Sequence, residues 1–168
     1  MESLRRSLQP LGFTDLSTFI GSGNVIFEAR ERSPRSLETK IEERLEKALK
    51  YEVGTFVRTE TELAQLAVYH PFGADSLEPE DEINIIFLGG PLDEETAHKV
   101  AALTTETDVF LVHDREVYWL RRRKAGGGAY STVALERTLQ QPFTIRTMRT
   151  VKRLAEKYSL AYQSLLSM

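Results

Sequence analysis

Apolar positions along this chain alternate between helical and strand-like spacing, and the points where the period changes mark its elements. Leu4, Leu8 and Leu11 recur at helical intervals and stop at Gly12, a natural helix end. Leu16–Ile20 and Val25–Glu28 read as strands joined by the tight turn Gly21-Ser22-Gly23-Asn24, with asparagine as a turn residue. Ser33-Pro34 opens a helix, serine as cap and proline in the first turn, whose stripe is Leu37, Ile41, Leu45, Ala48 and Leu49. Gly54–Arg58 predicts a short strand, and Thr59 with Glu62 forms a capping box for a helix ending near His70-Pro71.

Residues 73–82 hold glycine, proline and a run of carboxylates, which places a linker there, between a first half at 1–72 and a second at 83–168. The second half predicts a strand at Ile83–Leu88, a helix from Asp93 to about Leu103, and strands at Val109–Val112 and Val117–Leu120. A helix near Ser131–Leu139, an edge strand at Phe143–Arg146 and a long terminal helix from Thr147 follow. That order, β-α-β-β-α-β, is the ferredoxin-like unit. The first half shows it without its first strand. Two echoes support a duplication. Val57-Arg58-Thr59 with Leu63, Leu66 and Ala67 returns as Ile145-Arg146-Thr147 with Val151, Leu154 and Ala155; Leu8, Leu11 and Val25–Phe27 return as Val100, Leu103 and Val117–Trp119. The expected fold class is therefore α+β, two tandem ferredoxin-like halves, the first incomplete. Its missing strand leaves an uncovered sheet edge between Leu16–Ile20 and Gly54–Phe56, and with it the expectation of self-association as a homodimer.

Composition narrows the setting. The chain has 168 residues, 41% hydrophobic and 28% charged, as a soluble globular protein does. No apolar run reaches the roughly 20 residues of a membrane span, and the start lacks the apolar stretch of a signal peptide. Without cysteine there is no disulfide framework, thiol nucleophile or thiolate metal site. A cytoplasmic location is expected.

Charge is distributed unevenly. Between residues 121 and 153, Arg121, Arg122, Arg123, Lys124, Arg137, Arg146, Arg149, Lys152 and Arg153 stand against Glu136 alone, a local +8 in a chain whose total is −3. Such clustering is the footprint of a polyanion or phosphate-bearing partner; the opposing reading is a solvated face paired with the acidic first half. Arg149, Lys152 and Arg153 share one face of the terminal helix, away from Val151, Leu154, Ala155 and Tyr158. The helix start at Thr147, flanked by Arg146 and Arg149, is an anion-site candidate, or else a plain capped helix. The loop holding Gly126, Gly127 and Gly128 precedes a helix, where backbone N–H groups can cradle phosphate. It matches neither phosphate-loop pattern, and a simple turn is the stronger reading.

Catalysis finds little support. His70, His98 and His113 lack metal-ligand spacing, Gly21-Ser22-Gly23 is not a nucleophile elbow, and the carboxylates of 78–82 read first as a solvated linker. No metal, cofactor or catalytic residue is expected. Tyr118 and Trp119 alternate along a strand, so one ring faces the core, and an outward one near Arg121 would be placed to stack on a base.

Several segments resemble the bacterial domain-of-unknown-function family 1697. They are Leu4-Arg5 through Leu11-Gly12-Phe13-Thr14-Asp15, Ser22-Gly23-Asn24-Val25-Ile26-Phe27, Pro71-Phe72, the Gly126–Ser131 loop, Ala134-Leu135-Glu136-Arg137 and Thr144-Ile145-Arg146 through Thr150-Val151-Lys152-Arg153-Leu154-Ala155. The resemblance implies two similar ferredoxin-like halves and brings no activity. Relatives open with a further strand and glycine-rich loop and carry Asn-Trp-Asn where this chain has Thr147-Met148-Arg149. The functional expectation is thus a binding module for phosphate-bearing ligands or nucleic acid through a basic C-terminal face. The alternative is an enzyme or ligand-regulated domain using a cleft between the halves.

Overall fold

A computed structural model describes residues 2–19, 23–73, 76–123 and 132–167, which divide into two compact units, Met1–Thr59 and Glu60–Met168. The architecture is α+β, built on two antiparallel sheets.

In the first unit, α1 (Glu2–Leu8) runs into a 3-10 turn that closes on Gly12, whose φ of 73° suits a residue without a side chain. β1 (Thr14–Phe19) and β2 (Asn24–Glu28) form an antiparallel hairpin, where Asn24 donates from its side-chain amide to the Phe19 carbonyl at 3.2 Å. The turn residues 20–22 lie outside the described residues. α2 (Pro34–Leu49) starts where the sequence places it, with the Ser33 hydroxyl accepting from the Ser36 amide. Its stripe Leu37, Ile41 and Leu45 is buried; Ile41 and Leu45 pack with Leu8. Phe13 stacks on Phe27 at 4.2 Å between centroids.

The strand expected at Gly54–Arg58 does not form, so this sheet has two strands. Carboxylates of α2 take its ladder donors instead. The Val57 amide donates to Glu38 Oε1 at 2.8 Å and the Thr55 amide to Glu42 Oε1 at 2.9 Å. Alternate backbone donors are satisfied by side chains, which removes the pressure to pair with a strand.

The second unit begins with α3 (Glu60–Val68), followed by β3 (Glu82–Leu88), α4 (Glu94–Ala101), β4 (Asp108–His113), β5 (Glu116–Arg121), α5 (Thr132–Leu139), β6 (Phe143–Thr147), α6 (Met148–Tyr158) and α7 (Leu160–Leu166). The division falls after Thr59 rather than at residues 73–82, because α3 packs on α6 and α7. The sheet order is β4-β5-β3-β6, every pair antiparallel. On one face Ile86, Leu88, Val117 and Trp119 pack with Val100 of α4 and Leu135 and Leu139 of α5. Each such side chain, fully buried, contributes about 1.5–3 kcal/mol. Ile85 and Tyr118 are paired across β3 and β5 and, by strand alternation, face the opposite way. There Tyr69, just beyond α3, tilts against Tyr118 at 5.1 Å.

The long terminal helix breaks at Ser159, which is buried and extended, and whose hydroxyl accepts from the Tyr162 amide. Glu60 Oε1 accepts from the Leu160 and Ala161 amides at 2.6 and 3.2 Å, so a carboxylate of α3 holds the start of α7. The echo noted in the sequence has a side-chain counterpart. Arg58 Nη1 donates to the Val57 carbonyl at 2.9 Å, and Arg146 Nη1 donates to the Ile145 carbonyl at 2.7 Å.

Candidate functional site

Sheet register decides what the basic segment can do. Arg121 ends β5 opposite Asp108 on β4 and Glu82 on β3, so acids from both neighbouring strands converge on the end of the arginine run. Arg121 Nε lies 3.8 Å from Asp108 Oδ1, with its guanidinium carbon 4.9 Å from the centre of the Trp119 ring. Arg122 Nη1 donates to the Ser76 carbonyl at 3.0 Å and approaches Asp81 Oδ2 at 3.5 Å. Arg123 hydrogen-bonds to Glu82, and this pairing, assisted by Asn84, holds the Glu82 carboxyl below its ordinary range. Two of the carboxylates that read as a solvated linker, Asp81 and Glu82, are therefore counterions to the arginines, and they belong to the same unit rather than to the first half of the chain.

Arg146 also leaves the surface. On β6 it is half-buried and donates to Thr144 Oγ1 at 2.8 Å as well as to the Ile145 carbonyl; burial pulls its guanidinium below its ordinary value. Thr147 is the N-cap of α6, its hydroxyl accepting from the Thr150 amide at 3.2 Å. Lys124, Gly126, Gly127 and Gly128 lie outside the described residues.

Arg137 is exposed in the last turn of α5, and α6 carries the remaining cations. Met148, Val151 and Ala155 face inward, which turns Arg149, Lys152 and Arg153 toward the exterior; Arg149 and Arg153 are exposed. Arg149 and Lys152 form no ion pair with a carboxylate among the described residues. Lys157, one helical turn beyond Arg153, extends the same ridge, with its ammonium 5.1 Å from the centre of the Tyr158 ring. The sequence reading stopped short of it, although i,i+4 spacing was the available signal. Glu156 is the single acid of this helix.

The aromatic face expected for base stacking is absent among the described residues. Tyr118 and Trp119 are both buried, because the sheet is covered on both faces. Trp119 stacks near Phe110 at 5.6 Å and donates from Nε1 to Asp108 Oδ1 at 2.7 Å. Neither ring is presented to a base. Among the described residues no group of three or more His, Asp or Glu could hold a metal, and no helix is long and apolar enough to cross a membrane.

Residues 1–118 match the model of the family described as Protein of unknown function (DUF1697). The chain belongs to that family. The match runs from α1 into β5, so it takes in the β1-β2 hairpin, β3, β4 and the first half of β5. No curated protein matches the sequence. Among solved structures, the conserved bacterial protein SP0830 from Streptococcus pneumoniae is similar over 94% of this chain and 87% of its own, with a TM-score of 0.73 and 20% identity. That likeness is one of fold. Membership in DUF1697 assigns no specific activity, so function has to be argued from the site.

Proposed function

We propose that this DUF1697 protein is a binding module for phosphate-bearing polyanions, nucleic acid being the case to test, and that the α6 ridge is its contact surface. The observation that carries this reading is the contrast between two groups of cations. Arg121, Arg122 and Arg123 are each paired with a carboxylate, whereas Arg149 and Lys152 have no such partner among the described residues and share a face with Arg153. An unneutralised cation gains by releasing counterions from a phosphate backbone, while a paired one must first give up its carboxylate. The interface is accordingly narrower than the +8 segment and centred on one helix.

The proposal extends to fold. Each unit is read as ferredoxin-like, the second complete and the first reduced to its hairpin and two helices. The β-α-β-β-α-β order, the strand order β4-β5-β3-β6 and the matching Arg58 and Arg146 contacts support that reading.

Fluorescence anisotropy with single- and double-stranded oligonucleotides tests the function. About three phosphate contacts give a slope near −2.7 in log K against log salt, hence a loss of about 40-fold between 50 and 200 mM. The paired reversal Arg149→Glu with Lys152→Glu is expected to weaken low-salt binding at least tenfold, while Arg122→Gln with Arg123→Gln changes it by less than about twofold. Absence of binding at low salt, or equal sensitivity to the two pairs, refutes the assignment.

A further inference from the structure

The two units differ most beside β2. In the second unit β3 runs between β5 and β6, and its Ile86 is paired with Val117 on one side and Ile145 on the other. The sequence echoes make Val25 the counterpart of Val117, and Val57 the counterpart of Ile145. In the first unit no strand lies between Val25 and Val57 among the described residues, where β2 pairs with β1 alone. β1 corresponds to β4, the outer strand, so the open edge is that of β2 rather than that of β1.

The surroundings of that edge are incompletely packed. Val117 and Trp119, flanked by β3, are buried, whereas their counterparts Val25 and Phe27 are only half-buried, although they pack on Leu8, Ile41 and Leu45. Val57 packs on the same cluster. Two buried polar atoms, Glu38 Oε2 and Thr55 Oγ1, have no hydrogen-bond partner, and both belong to the contact between α2 and residues 54–58. Arg35, itself exposed, comes no nearer to Glu38 Oε2 than 3.8 Å. A sheet of two strands is marginal by itself, and an exposed regular edge recruits a further strand. The outer edge of β1 is a poor acceptor, because its register shifts between Thr14 and Ser17 and Asp15 sits at a φ of 49°. β2, Asn24-Val25-Ile26-Phe27-Glu28, carries neither proline nor lysine, residues that blunt such edges.

We propose, on the reading of the first unit as a reduced copy of the second, that it binds an extended peptide strand of a partner protein in the place that β3 takes in the second unit. The strand runs antiparallel to β2, as β3 does to β5, and extends its ladder. β2 supplies the backbone pairing, because the Val57 and Thr55 amides are already taken by Glu38 and Glu42. Register gives the chemistry of the occupant. Its residue between Val25 and Val57 stands where Ile86 does, and the one two positions on stands where Leu88 does. Ile86 and Leu88 are fully buried, so both positions of the peptide are apolar and a charge at either is excluded.

Isothermal titration and amide exchange of the full chain test the site with a blocked peptide of the β3 sequence, Glu-Ile-Asn-Ile-Ile-Phe-Leu, flanked by lysine at each end for solubility. Saturable binding is expected, with exchange of the β2 amides that face away from β1 slowed about tenfold or more. N-methylation of alternate peptide amides keeps the side chains and removes ladder donors. In one of its two phases it is expected to weaken binding at least about tenfold. Aspartate in place of the isoleucine at the Ile86 position is expected to weaken it by about tenfold or more. No saturable binding, equal binding of both N-methylated peptides and the parent, or slowed exchange confined to the second unit overturns the docking. A chain that sediments as a dimer, with those β2 amides protected before peptide is added, assigns the edge to a second copy and overturns it equally. Binding that slows β2 exchange but is indifferent to the aspartate refutes instead the copy reading, and with it the register.

Discussion

Asp108 is the most consequential side chain of the basic segment, although it carries no positive charge. It is 5% exposed at the start of β4 and is fully used. Oδ1 accepts from Trp119 Nε1 at 2.7 Å, Oδ2 accepts from Thr107 Oγ1 at 2.7 Å, and Arg121 Nε lies 3.8 Å from Oδ1. Asp108→Ala removes a charged acceptor and strands an indole N–H in the core beside Phe110. A hydrogen bond to a charged group is worth about 1.5–3 kcal/mol, and leaving its partner buried and unsatisfied costs about 1–3 kcal/mol. These two figures describe overlapping effects, so the expected loss is about 3 kcal/mol. The Arg121 contact adds little, because that side chain is partly exposed. Asp108→Asn keeps an acceptor and loses only the charge, with an expected cost of about 1 kcal/mol. Trp119 is the only tryptophan, so its fluorescence during urea unfolding reports on this unit alone. A double-mutant cycle with Trp119→Phe, followed by far-ultraviolet circular dichroism because that substitution removes the tryptophan, isolates the pair, with an expected coupling of about 1–3 kcal/mol. Asp108→Ala within 0.5 kcal/mol of the parent, at the resolution usual for such cycles, or a vanishing coupling, refutes the argument.

Two other buried groups give distinct readouts. Glu38→Ala is expected to speed exchange of the Val57 amide by about 10- to 100-fold, the equivalent of one charge-assisted hydrogen bond, while Glu42→Ala does so for Thr55. Unchanged exchange at both amides means that something else protects them. Tyr118, with its phenol pushed above the ordinary range, stays protonated in the folded chain at pH values where the unfolded chain ionises. The folded state then binds more protons, so its stabilising effect is intact below about pH 10 and stability falls above it by up to about 1.4 kcal/mol per pH unit. Tyr118→Phe is expected to flatten that decline in urea melts, and an unaltered alkaline slope counts against the shift.

Much of the architecture was legible where a local rule and the tertiary structure agree. Ser33-Pro34 starts α2, Asp93 caps α4, Thr147 caps α6, and the apolar runs of β3, β4 and β5 are strands. The failures share a cause. Residues 54–58 alternate as a strand does, but their donors are taken by Glu38 and Glu42, some 13 to 19 positions away on a helix. The Arg122–Asp81 and Arg123–Glu82 pairs span 41 residues, and only the alignment of β3 beside β5 brings them together. Alternation put Tyr118 and Trp119 on opposite faces; nothing in a linear pattern says that both faces are covered. Ser159 reads as an ordinary helical position until Glu60, 100 residues earlier, supplies the acceptor for Leu160.

The pairing of Arg121, Arg122 and Arg123 with Asp108, Asp81 and Glu82 means that this stretch of chain carries its own counterions, covalently attached. Free sodium or chloride, once displaced, disperses and repays its displacement in entropy. A tethered carboxylate cannot disperse, so an incoming phosphate at these arginines would exchange one anion for another with little entropic return. Added salt acts on the two clusters in opposite senses: it screens the α6 ridge from any polyanion, and it loosens the tethered pairs that keep the β5 arginines occupied.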